Sequence, residues 1–415
     1  YDAAEKAQAS SLYKRFQKKL NASAAGDIEE DMGVYRTRMI IPRAYLDRAV
    51  YFCTSGIRGR FELYVNGQAV SQSGACYTSK KFLISPFLTE GNNAICVFVY
   101  RMNSDLHGRK RKENGTFGFA GIFRMPEIVA EPLVEISGLH LHTTWEDSSA
   151  FSAMKTEDTD DSALIRFGES LELRRDGRVR LDVSFHNHTD LTVPVHVRFQ
   201  LIEARPEYDL YNLPVHPIGV MKKMEGSIAA GSDLTLQSEI SARSVLPWSD
   251  SYPFLYDLIF TVHDANDRII SVRKVRFGFR TSEVIARVFH LNDTALPLKA
   301  VRYFSFDPLG GIAVPYERFR QDICMMKQAG VNTVITAHFP ADPVFYNMCD
   351  AYGLYVISQA DSIYMKGMFE ALMSHPSIIF WSFAPLHFDE SKVWEQKQKL
   401  LILDGSRPFY CEADK

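Results

Sequence analysis

The sequence predicts a multidomain protein, all-β over its first two thirds and α/β over its last third. Three observations carry that reading. Short runs of alternating apolar and polar residues recur from Gly33 to about Pro132 and again from residue 133 to about 282, the period-2 pattern of strands with one buried face. Asn66-Gly67 directly follows one such run, RFELYV, and a primed two-residue hairpin turn needs positive φ at both central positions. From about Glu283 apolar strand-like runs alternate with helix-like ones, which implies parallel βα units. A chain of 415 residues has room for two to four domains, each with its own core.

In chain order, DAAEKAQASSLYKRFQKKL at residues 2–20 lacks Gly and Pro and favours a helix, so residues 1–32 read as a helical lead-in segment. Residues 33–132 hold VYRTRMII, AVYFCTS, RFELYVNG, KKFLISPFL and AICVFVY, a spacing that suits a β-sandwich. Residues 133–282 hold VRLDVSFHNH, VPVHVRFQLIEA, LTLQSEI, YDLIFTVHD and RIISVRKVRFGFR, a second all-β unit. In residues 283–415, LPLKAVRYF is an apolar strand, and YERFRQDICMMKQAG is an amphipathic helix with Gly330 suited to C′. VNTVITAHF, DPVFYNMCDAYG, LYVISQAD, MKGMFEALMSHP, SIIFWSF, KVWEQKQKLLIL and RPFYCE continue the alternation to a fifth strand.

A net charge of −3 gives no electrostatic reason to expect nucleic acid or an anionic membrane. No apolar run reaches the roughly 18–20 residues that span a bilayer. Six cysteines without a CxxC pair read as free thiols of a reducing compartment, hence a cytoplasmic protein, with a secreted or periplasmic one as the alternatives. The chain begins at Tyr1 without Met, which leaves removal of a leader open. Two His-x-His pairs, His140/His142 and His186/His188, lack a nearby third ligand in sequence. The acidic cluster Glu157, Asp158, Asp160 and Asp161 lacks the Gly of a calcium loop. Neither a metal nor a cofactor is expected, and the basic run Arg109 to Lys112 reads as a solvated loop.

The run SHPSIIFWSFAPLHFD, Ser374 to Asp389, resembles the barrel strand of glycoside hydrolase family 2, whose pattern is N-H-P-S-[IV]-I-x-W-S-L-G-N-E. ELYVNGQAV, FLISPFLTEGNNAICVFVYR and GIFR resemble the family's jelly-roll sugar-binding domain, in the order and spacing of the β-galactosidase branch. LPWSDSYPFLYDL with FGFRTSEV resembles its immunoglobulin-like domain and exit. The resemblance runs from Gly33 to Glu412. It implies a jelly-roll sugar-binding-like β-sandwich (33–132), an immunoglobulin-like β-sandwich (133–282) and an incomplete TIM (β/α) barrel (283–415), three βα units short of eight.

Retaining glycosidases need two carboxyl groups roughly 5 Å apart. By the resemblance, Leu386 stands where the family has its acid/base glutamate, and the nucleophile would lie on a later strand than those present. Ser358 and Gln359 replace an Asp-Glu pair, Ile335 replaces a buttressing arginine, Phe304 replaces a substrate-site histidine, and the magnesium ligands have no counterparts at Ile363 to Lys366. No catalytic residue is intact. His338, Asp361, Trp381 and Asp105 remain as candidate substrate-binding residues, with Trp381 a stacking platform or a core residue. The leading expectation is a catalytically inactive, β-galactosidase-like homologue that binds carbohydrate or takes part in assembly. The alternatives are an active glycosidase acting on β-galactosides or β-glucuronides with its missing strands supplied elsewhere, and a structural interaction partner. The open barrel edge calls for a homo-oligomer or a partner chain to cover it.

Overall fold

The computed structural model describes residues 32–100, 120–145, 174–204, 217–337, 340–360, 365–383, 394–395, 397–398 and 404–411; the expected lead-in helix lies outside them. The chain divides into two compact units, Tyr1–Leu133 and Val134–Lys415.

The first unit holds β1 (Met32–Ile41), β2 (Ala49–Thr54), β3 (Ile57–Arg58), β4 (Arg60–Val65), β5 (Gln68–Ser73), β6 (Lys80–Leu83), β7 (Gly91–Tyr100), β8 (Gly121–Ile122) and β9 (Glu127–Glu131). They form antiparallel sheets ordered β1-β7-β4-β5, β6-β2-β9 and β3-β8. Phe61, Leu63 and Val65 of β4 and Ile95, Val97 and Val99 of β7, each spaced by two, share one core with Val50 and Phe52 of β2. Each such fully buried side chain contributes roughly 1.5–3 kcal/mol. The β4-β5 turn is the expected hairpin: Asn66 and Gly67 have φ of 50° and 81°, and Val65 pairs with Gln68. The expected strand KKFLISPFL ends early, at Leu83, and Ser85–Phe87 form a 3-10 turn, because Pro86 has no N–H for a ladder. In GIFR, the Arg124 guanidinium donates to the Ser55 and Tyr77 carbonyls at 2.8 and 3.1 Å.

The second unit begins with a seven-stranded sandwich: β10 (Val134–Trp145), β11 (Arg175–Asn187), β12 (Val193–Glu203), β13 (Pro217–Ile228), β14 (Asp233–Val245), β15 (Tyr256–His263) and β16 (Ile269–Phe277). The sheets are β10-β11-β14 and β13-β12-β15-β16, a three-on-four immunoglobulin-like arrangement. Alternate residues of β11 (Val179, Leu181, Val183, Phe185) meet those of β12 and β15 (Val197, Phe199, Leu258, Phe260) in one core. At the corner before β15, the Tyr256 hydroxyl accepts from the Leu246 N–H at 2.7 Å. Burial pushes that hydroxyl up to about 12.

Next comes a small antiparallel sheet that the sequence reading did not contain: β17 (Ser282–Ile285), β18 (Val288–Leu291) and β19 (Thr294–Ala295). Its two tight turns place Ala286-Arg287 and Asn292-Asp293 at positive φ without a glycine to signal them. Five parallel strands follow in sequential order, β20 (Ala300–Tyr303), β21 (Thr333–Thr336), β22 (Tyr355–Ala360), β23 (Ile378–Phe383) and β24 (Phe409–Cys411). Helices Tyr316–Gln328, Pro343–Tyr352 and Met365–Leu372 connect them. The helix Pro343–Tyr352 starts at the Asp342 cap, which accepts from the Val344 N–H at 2.9 Å, and ends at left-handed Gly353. Gly330 adopts φ of 78° just past its helix, as the sequence suggests. The barrel is incomplete, and among the described residues β20 and β24 are edge strands. The run LPLKAVRYF, read as an apolar strand, is mostly exposed along β20 because only one side of it is paired.

Candidate functional site

Barrel active sites form at the C-terminal ends of the parallel strands. Among the described residues those ends carry Thr336 on β21, Ser358 and Gln359 on β22 and Ser382 on β23, each 0–1% exposed. Their side chains are neutral and bonded to neighbouring strands or to the connecting helices. The Gln359 N–H donates to the Thr336 hydroxyl at 2.9 Å, and its side-chain amide reaches the Ser382 hydroxyl at 3.4 Å. Ser358 points the other way, as alternation along a strand requires: its hydroxyl meets the Tyr346 hydroxyl at 2.9 Å and the Met368 sulfur at 3.3 Å, both on connecting helices. After β20, the Asp307 carboxylate closes a turn by accepting from the Gly310 and Leu309 N–H groups. Those two bonds hold it below the usual carboxylate range, as expected for an acceptor fixed by backbone donors.

Of the candidates named from sequence, His338, Asp361, Asp105 and Leu386 lie outside the described residues. Trp381, read from sequence as a stacking platform or a core residue, sits among core side chains. It is 1% exposed, its ring stands edge-on to Phe369 at 4.4 Å, and the Arg407 guanidinium lies 5.2 Å from its centre. Its indole N–H donates to the Asp404 carboxylate at 2.8 Å, so the indole's one donor is already used. Asp404 also pairs with Arg407 and accepts from Ser406 at 2.6 Å. Burial would raise the Asp404 carboxyl, but the Arg407 charge and the bonds from Ser406 and Trp381 outweigh it and hold the group well below its usual range.

The histidine pairs resolve differently. His140 lies 3.3 Å from the Met373 sulfur. His186 meets Asp233 at 2.8 Å and His188 meets Glu135 at 3.5 Å, carboxylates that cross-strand register brings beside them and that sequence spacing could not reveal. Even so, among the described residues no group of three or more His, Cys, Asp or Glu is arranged to hold a metal. Asn187 and Asn292, each followed two residues later by Thr, are committed to the backbone: Asn187 donates to Leu191 O at 2.8 Å and Asn292 to Trp248 O at 3.1 Å.

Sequence reasoning missed the contacts that seat the parallel sheet on the sandwich within the second unit. The Trp248 indole donates to Asp350 O at 2.9 Å, and the Lys327 ammonium caps the Tyr352 and Gly353 carbonyls while reaching Asp250 O. Arg280 donates to Pro376 O and Ile378 O, each at 2.7 Å. The runs LPWS and FGFR were visible, but their partners lie some hundred residues away in the chain.

Comparison with known proteins gives a consistent picture. Domain models described as "Glycosyl hydrolases family 2, sugar binding domain", "Glycosyl hydrolases family 2" and "Glycosyl hydrolases family 2, TIM barrel domain" match residues 11–132, 165–280 and 283–367. A beta-galactosidase of Psychromonas ingrahamii is 25% identical over 84% of this chain and 33% of its own length. One from Halalkalibacterium halodurans is 25% identical over 93% of this chain and 37% of its own. The chain thus spans about a third of the curated relatives it matches. A family 2 glycosyl hydrolase from Bacteroides cellulosilyticus superimposes with a TM-score of 0.74 at 18% identity, over 92% of this chain and 50% of that one. A beta-glucuronidase from Parabacteroides merdae gives 0.74 at 20% identity, over 93% and 48%.

Proposed function

We propose, because this chain belongs to glycoside hydrolase family 2, that it keeps a β-galactosidase-like scaffold without hydrolytic chemistry and serves in carbohydrate binding or assembly. The observation that carries the reading is the neutrality of the groups at the ends of β21, β22 and β23 among the described residues. Thr336, Ser358, Gln359 and Ser382 are buried and bonded, and none of these groups exchanges a proton near neutral pH. A positioned acid or base supplies roughly 10²–10⁴-fold in rate. Leu386 in the register of the acid/base glutamate points the same way.

Among the described residues β20 pairs along one side alone, which supports assembly as the second half of the role. Around β20, Val301 is 37% exposed, Phe304 55% and Leu309 100%, and an unpaired apolar edge is a surface that proteins cover. A partner chain or a second copy over this edge also accommodates the alternative of an enzyme completed in trans. Isothermal titration with β-galactosides and β-glucuronides, paired with sedimentation velocity, separates the roles. Heat with one sugar class supports carbohydrate binding. No heat with any sugar and a concentration-dependent dimer support assembly alone, and a monomer that binds no sugar overturns the proposal.

A further inference from the structure

On the outer face of the sheet β10-β11-β14, three side chains form a row across the strands: Glu135 stands opposite His186, and His186 opposite Asp233. His188 follows two residues after His186. The residues that alternate with them, Phe185 and Asn187, are fully buried, so both imidazoles share the outer face. Their ring centres are 4.4 Å apart.

Each ring turns one nitrogen to a carboxylate of a neighbouring strand. His186 Nδ1 lies 2.8 Å from Asp233, and His188 Nε2 lies 3.5 Å from Glu135. Metal-ligating histidines are held in this way, because a carboxylate at one nitrogen fixes the ring and makes the other nitrogen a better donor. The other nitrogen is Nε2 in His186 and Nδ1 in His188. A metal ion about 2.0–2.1 Å from two imidazole nitrogens at a right angle sets the ring centres roughly 4.5 Å apart, close to the separation of this pair. The His186 and His188 side chains are 30% and 19% exposed, which lets an ion with its waters approach from solvent.

The geometry points to a two-histidine site for a divalent late transition-metal ion, copper(II), nickel(II) or zinc(II), with His186 and His188 as its protein ligands and water in the remaining positions. Two protein ligands are fewer than the groups of three that are absent among the described residues. They suit an exchangeable ion, whereas a structural zinc takes four. Imidazole selects these ions over magnesium and calcium, which prefer oxygen ligands. The site lies in the sandwich and stands whether or not the strand ends of the barrel carry out hydrolysis.

Isothermal titration of the untagged full chain with nickel(II), zinc(II) and copper(II), each beside magnesium(II), tests the site. Binding by all three is expected, with copper tightest, and no heat from magnesium. Asp233→Asn changes a side chain that is 74% exposed, a surface substitution that leaves the fold intact. It should weaken binding roughly 10–100-fold, as loss of a carboxylate behind a ligating histidine does. His188→Gln removes a ligand and should weaken binding by at least as much. Paramagnetic resonance of the copper(II) complex should show two imidazole nitrogens in the unaltered protein and one in His188→Gln. No transition-metal binding by the unaltered protein overturns the site. Binding that both variants keep at full strength places the metal elsewhere, as on the cysteines, and overturns it equally.

Discussion

Replacing Asp404 by Asn keeps the side chain's volume and removes the charge that Arg407 is paired with. The two residues are 2% and 7% exposed, and removing one partner of a buried pair costs about 3–5 kcal/mol. The lower end applies, because Arg407 keeps the Ile378, Met373 and His375 carbonyls as acceptors. At roughly 2–4 °C per kcal/mol for a large domain, Tm falls on the order of 10 °C. Tryptophan fluorescence reads the loss directly, because the Trp381 indole donates to Asp404, and far-UV circular dichroism gives the global transition. The Asp404 carboxyl is held below its unfolded value, so its contribution is complete above the unfolded pKa near 4 and is lost as pH falls through the folded value. The gap between the two proteins should therefore narrow between about pH 5 and pH 2. A fall in Tm of less than about 3 °C at neutral pH, or a gap that stays constant into acid, would refute the assignment of Asp404 as an ionised, stabilising partner.

Tyr256→Phe strips the hydroxyl from the corner and leaves the Leu246 N–H buried without that acceptor, at a cost of about 1–3 kcal/mol, read from the urea midpoint. Because burial raises the Tyr256 hydroxyl to about 12, its contribution is complete below the unfolded pKa near 10 and is lost as pH rises from there; the variant should lack this alkaline component, and identical alkaline profiles would count against it. Gly353→Ala forces a side chain onto φ of 69° and a Cβ to 2.3 Å from Asp250 O. Strain of roughly 1–3 kcal/mol plus that clash should lower Tm by several degrees, and a neutral outcome would mean that the helix end is not held as described.

Legibility followed the range of the interaction. The β4-β5 hairpin was readable because Asn66-Gly67 encodes its own turn, and the βα alternation was readable because helix and strand periods differ within a few residues. The sheet β17-β18-β19 was not, since its turns use Ala286-Arg287 and Asn292-Asp293 rather than glycine. The edge strand β13 was missed because most of its side chains are exposed, which erases the alternation that marks a half-buried strand. At the site, the resemblance identified Ser358 and Gln359 as departures from the family. Their bonding to Tyr346, Thr336 and Ser382 depends on neighbouring strands and helices that no local pattern encodes. For Trp381 the apolar run SIIFWSF made a core place readable beside the stacking one, but its partners Asp404 and Phe369 lie outside that run and were not.

Hydrolysis of chromogenic β-galactoside and β-glucuronide by the purified protein, beside a Leu386→Glu variant and with and without magnesium, tests the central claim most directly. The account predicts no turnover by either protein, because one restored carboxylate leaves the neutral groups Thr336, Ser358, Gln359 and Ser382 at the strand ends unchanged. Turnover by the unaltered protein would contradict it and would require a carboxylate pair elsewhere in the chain.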